Sequence, residues 1–115
     1  MTQWSAYAIS LASEAAVAGL LAYALWRQTK PAAFAALAAV AGTAITHPIV
    51  WPSALWLYPR IGYWPGFVAV EMFAILGEWP FYRVLTRASW GWSLVQSFAA
   101  NFVSLSLGLI LQQLN

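Results

Sequence analysis

The chain contains no cysteine. Disulfides, thiolate metal ligands and cysteine nucleophiles are thereby excluded. It also lacks aspartate, so Glu14, Glu71 and Glu78 are its whole acidic complement. Charge of either sign is scarce: 7% of the 115 residues are charged, against roughly 25% in a soluble domain. So little charge cannot clothe a water-facing surface, and a hydrophobic content of 63% makes the same point. Five Lys and Arg, scattered along the chain, are too few for a nucleic-acid footprint. The motifs that carry hydrolase or phosphate chemistry, Gly-x-Ser-x-Gly, His-Glu-x-x-His and the phosphate loop, are missing as well. The N-terminal stretch MTQWSAYAIS has neither the basic start nor the small-residue cleavage site of a signal peptide, so the first apolar run is expected to stay in the mature protein.

What the chain has instead is length of apolar sequence. A hydrocarbon core of about 30 Å is crossed by about 20 mainly apolar residues in a helix. Four segments meet that requirement, at about residues 4–26, 31–50, 65–85 and 89–113. Arg27, Gln28, Thr29 and Lys30 stop the first. Pro31 suits the opening turn of the second, whose end is expected to be ragged because Pro48 and Pro52 each remove a backbone donor. Pro80 lies inside the third and predicts a kink there. The connections are short, so the expected fold is all-α, a single-domain up-down transmembrane four-helix bundle.

Orientation follows from the basic residues. Arg27 and Lys30 fall in the first connection and Arg83 and Arg87 by the third, with Arg60 alone in the second. The positive-inside rule then puts connections one and three in the cytoplasm and both termini outside. Trp4, Trp26, Trp51, Trp56, Trp64, Trp90 and Trp92 all fall near expected interfaces, as an aromatic belt requires, whereas Trp79 falls mid-span beside Glu78. The expected location is a bacterial inner membrane.

A carboxyl group at membrane depth costs about 2.5 kcal/mol or more to insert, which makes each glutamate a functional candidate. The three share a depth with the other polar groups. At about 1.5 Å per residue, Glu14 comes near the midplane, Glu71 nearer the outer face and Glu78 deeper. His47 lies one to two turns inside the outer end of the second span. Ser97, Asn101 and Ser104 straddle the middle of the fourth. On each helix these groups keep to one side: Glu71, Glu78 and Tyr82 form one stripe, and Ser97, Asn101, Ser104 and Gly108 another. Thr43 and His47 are one turn apart, as are Ser10 and Glu14. Lipid cannot accept such stripes, so they are expected to face inward and meet, with Gly19, Gly42, Gly77 and Gly108 letting the backbones approach.

Several chemistries are open to that cluster. As a metal site, Glu14, His47, Glu71 and Glu78 would offer oxygen and imidazole ligands to a divalent ion such as zinc, manganese or iron. The Glu-x-x-His pairs of di-iron bundles are missing, and one histidine favours a single ion. As a proton or cation pathway, Glu71 and Glu78 would be successive stops with His47 beside them, although only Tyr82 and Arg83 continue the stripe inward. As a satisfied polar core, the glutamates would hydrogen-bond with Thr46, Ser97, Asn101 and Ser104, fixing helix register in a scaffold subunit. A membrane-embedded enzyme using the same Glu and His residues is the remaining class, and a lone His near tryptophans also leaves pigment binding open. Expected partners are the lipid bilayer and other membrane subunits or further copies of the chain.

Thr46-His47-Pro48 with Trp51, then Glu71 and Glu78 followed by Tyr82-Arg83, then Ser97, Asn101, Ser104 and Gly108 make a Thr-His-Pro / Glu-x6-Glu / Ser-x3-Asn-x2-Ser pattern. It resembles an uncharacterised family of small bacterial four-span integral membrane proteins. The resemblance covers the second to fourth spans. It implies a shared polar core and brings no activity with it.

Overall fold

The computed structural model describes residues 2–114. They form four helices: α1 (Gln3–Trp26), α2 (Thr29–Ile61), α3 (Tyr63–Thr86) and α4 (Trp90–Leu114). α1 opens on a capping box, in which the Thr2 hydroxyl accepts from the Ser5 amide at 3.1 Å and the Thr2 amide donates to the Ser5 hydroxyl at 2.9 Å. α1 and α3 both end on an arginine in the left-handed conformation, Arg27 (φ 53°) and Arg87 (φ 57°). Those cations sit where the helix dipole is negative. The α2–α3 connection is the single residue Gly62 at φ 93°, a conformation that glycine adopts without strain.

α2 is longer than its sequence predicts. The helix does not fray near residue 50 but runs through Pro48, Pro52 and Pro59 to Ile61. Each proline withdraws one amide, from the carbonyls of Ala44, Pro48 and Leu55 in turn. Ending the helix would instead orphan its last four carbonyls, a heavier loss wherever water cannot reach them. At 33 residues α2 has a contour length of about 50 Å, well over the roughly 30 Å thickness of a hydrocarbon core. α3 likewise continues through Pro80, and it begins two residues earlier than the sequence suggests.

The helices pack in a ring, α1 on α2, α2 on α3, α3 on α4 and α4 back on α1. Neighbours run antiparallel: Tyr58 of α2 meets Gly66 of α3 at one end, and Thr46 meets Gly77 farther along. The bundle measures 44 × 28 × 18 Å, its long axis matching the roughly 40–45 Å of a bilayer with headgroups.

Its packing inverts that of a soluble protein. The core is made of Ala18, Ala22, Ala35, Ala38, Ala39 and Ala100 around one large side chain, Tyr82. Leucine, isoleucine and phenylalanine point outward, including Leu20, Leu37, Ile45, Phe98, Phe102 and Ile110. Small residues inside and large apolar ones outside suit a bundle whose solvent is lipid, where close helix approach replaces the hydrophobic effect as the driving force. α1, α2 and α4 are long and apolar enough to cross a membrane. α3, whose 24 residues include Glu71, Glu78 and Arg83, is not among the helices that meet this standard, where four spans are expected.

Candidate functional site

The polar stripes do face inward. Glu14, Thr43, Thr46, Glu78, Ser97, Asn101 and Ser104 are all buried, so every helix contributes to one polar centre. The carboxyl groups of Glu14 on α1 and Glu78 on α3 lie beside each other within direct interaction range. α2 holds both, with Thr43 donating to Glu14 and Thr46 to Glu78 at 2.7 Å. From α4, Asn101 Nδ2 donates to the second Glu78 oxygen at 2.8 Å and to the Ser97 carbonyl at 2.9 Å. Both oxygens of Glu78 therefore have donors.

Close helix contact makes this possible. A Cβ on Gly42 would stand 2.9 Å from Cγ of Glu78, so glycine is what lets α3 bring its carboxyl against α2. Gly108 has open space where its Cβ would be, so it plays no part in helix approach, contrary to the sequence expectation.

Above the pair is a cavity of about 320 Å³. It occupies the end of the bundle that carries the chain termini and the α2–α3 connection, since its lining runs from Glu14 and Glu78 out to Tyr63 and Gln112. Its upper walls are aromatic, with Trp51 and Tyr58 from α2 and Tyr63 and Phe67 from α3. His47 lies on the wall with its ring between Tyr7 (centroids 5.1 Å apart) and Trp51 (6.2 Å), and its Nε2 is buried without a hydrogen-bond partner. Glu71 also lines the cavity, half-buried, within electrostatic reach of the Tyr58 hydroxyl, and among the described residues no donor bonds its carboxyl.

All four expected metal-ligand residues thus border one space, but not one point in it. Among the described residues, no three His, Cys, Asp or Glu side chains gather closely enough to grip a metal ion. Some supporting roles also differ from expectation. Ser97 donates to the Ile75 carbonyl at 2.7 Å, not to a glutamate, whereas Ser104 bonds Ser10 at 3.2 Å and also lies within interaction range of the Glu14 carboxyl, as expected. Tyr82 lies fully buried beneath the carboxyl pair with its hydroxyl unpartnered. Trp79, placed mid-span by sequence, reaches the end of α4, where its indole N–H donates to the Trp90 carbonyl at 2.8 Å.

Two features escaped the sequence reading. Thr43 stands one turn from His47 in the sequence, yet its hydroxyl holds Glu14. Ser93 and Gln96, both fully buried, extend the α4 polar stripe a turn toward the other end. The signal for them was present, since Ser93 precedes Ser97 by one turn and Gln96 precedes Ala100 on the same face. Comparison with protein-family models, curated proteins and solved structures finds no match to this chain.

Proposed function

We propose that this protein is a small bacterial inner-membrane bundle whose Glu/His pocket takes up a cation or a proton from the outer face. The observation that carries the reading is the Glu14–Glu78 pair at the floor of an open cavity. Two carboxyl groups side by side in a largely buried site cannot both stay ionised without a positive partner, so the pair holds a proton or takes a cation. Among the described residues no Lys or Arg lines that cavity to supply the charge, so it must come from outside the chain.

In this reading α3 crosses the bilayer with the other three helices, its glutamates sheltered by them and its outer face presenting Val68, Met72, Phe73 and Leu76 to lipid. A bend at Pro80 accompanies it. Pro80 leaves the Leu76 carbonyl without its amide, and the Ser97 hydroxyl binds the adjoining Ile75 carbonyl. Arg27, Lys30, Arg83 and Arg87 support a cytoplasmic placement of the opposite end, with both termini outside. The motif resemblance supports a bacterial source, and an accessory role in a larger membrane assembly belongs to the same proposal.

A scaffold with a sealed neutral core is the competing reading, favoured by the complete hydrogen bonding of Glu78. Infrared difference spectroscopy on purified protein separates the two. A cation or proton site gives a carboxylic-acid C=O band that converts to carboxylate when pH is raised or a cation is added, with zinc, manganese and iron each tried. The band should shrink in Glu78→Gln. A band indifferent to both treatments would leave only the scaffold.

A further inference from the structure

We infer that the cavity is a binding site for an organic ammonium ion, a protonated amine bearing an apolar or aromatic substituent, with Glu71 as its counter-ion. The inference rests on the cation-binding reading above and narrows it to a ligand class.

Charge and shape both point this way. Three carboxyl groups border the cavity, and no Lys or Arg does among the described residues. Arg60, the basic residue nearest in sequence to its rim, is engaged elsewhere: its guanidinium lies over the Trp56 ring at 4.1 Å and donates to the Trp56 carbonyl at 2.7 Å. The acidic groups divide into two kinds. Glu14 and Glu78 are held by donors from α2 and α4. Glu71 has no such donor among the described residues and faces the open space, so it is the carboxylate left for a ligand.

The walls select against a bare inorganic ion. A small hard cation is best held by several carboxylate oxygens converging on one point, and no three His, Cys, Asp or Glu side chains gather so among the described residues. Tyr58, Tyr63, Phe67 and Trp51 instead line the same cavity as Glu71. Aromatic surfaces attract a weakly hydrated organic cation through their quadrupoles, and they bury its apolar substituent. A volume of about 320 Å³ sits at the low end of the roughly 300–1,000 Å³ typical of small-molecule sites, which limits the ligand to about the size of one substituted ring. Gly66 contributes by omission: a Cβ there would stand 2.8 Å from the Tyr58 ring, which could not keep its place on the cavity wall unchanged.

The test is isothermal titration of the detergent-purified full chain with benzylammonium, with benzyl alcohol as the neutral match and sodium and zinc as inorganic arms. Saturable one-to-one binding of benzylammonium, absent for benzyl alcohol, is expected. Glu71→Gln should weaken it about tenfold or more, and Phe67→Ala should weaken it without abolishing it. Glu71→Gln breaks no hydrogen bond within the described residues, so its melting temperature should match the parent's and loss of binding cannot be assigned to misfolding. Equal binding of benzyl alcohol, or benzylammonium binding unchanged in Glu71→Gln, overturns the inference. Zinc binding or a cation-responsive carboxyl band without ammonium binding also overturns it, yet leaves the broader cation reading standing. Silence from every cation and from the carboxyl band removes both.

Discussion

Glu14 of α1 and Glu78 of α3 come together at the bundle centre, and a single turn of α2 anchors both through Thr43 and Thr46. The pair ties α1 and α3, which are not ring neighbours, to each other through α2. That makes the carboxyl groups a joint and not two separate polar residues. Their energies should behave accordingly.

Removing either carboxyl leaves a threonine hydroxyl and the other carboxyl short of a partner. The cost of Glu14→Ala plus that of Glu78→Ala should therefore exceed the cost of the double variant, by about 0.5–3 kcal/mol. Reversible unfolding in mixed detergent micelles measures the cycle, and strict additivity would show that the two side chains are independent.

Gly42→Ala should destabilise the bundle by about 1–3 kcal/mol, because its Cβ would stand 2.9 Å from Glu78 Cγ and force α2 and α3 apart. Gly108→Ala is the counterpart. With open space around it, the same change should be neutral or raise stability by about 0.5–1 kcal/mol through helix propensity alone. Thermal unfolding of the two variants side by side gives opposite signs if the packing is as described.

Asn101→Ala strips a donor from Glu78 and from the Ser97 carbonyl together. A loss of about 1–3 kcal/mol is expected, the range for a buried acceptor left unsatisfied. The same substitution should shift the infrared band of the Glu78 carboxyl, which ties the energetic effect to that group.

Tyr82→Phe should cost nothing or stabilise slightly. The ring fills the alanine core, and the hydroxyl it carries has no partner among the described residues. Phenylalanine keeps the packing and removes a buried polar atom. A loss of more than about 1 kcal/mol in the melt would mean that the hydroxyl is engaged after all.

Much of this arrangement is legible in one dimension. Glu14, Glu71 and Glu78 lie within apolar runs, and Ser97, Asn101 and Ser104 repeat at helical spacing, so inward-facing stripes follow from the cost of setting such groups in lipid. The same rule misjudged α2. Proline reads as a terminator because in water a lost amide bond is cheaply replaced, whereas α2 carries three prolines without interruption. Trp79 was misplaced for a related reason: depth was counted along the backbone, and its long side chain reaches past its own Cα to Trp90.

The sequence by itself determined four helices, their antiparallel order through short connections, and a shared level for the polar groups along the bundle, because periodicity and transfer cost act along a single chain segment. Only the tertiary structure decided which groups touch. Pairing depends on helix rotation and separation to within an ångström or so, and those are set jointly by all four packed surfaces. That is why Thr43 holds Glu14 and not His47, why Ser97 binds a carbonyl, and why Glu71 alone of the three glutamates has no donor among the described residues while lining the same aromatic-walled cavity.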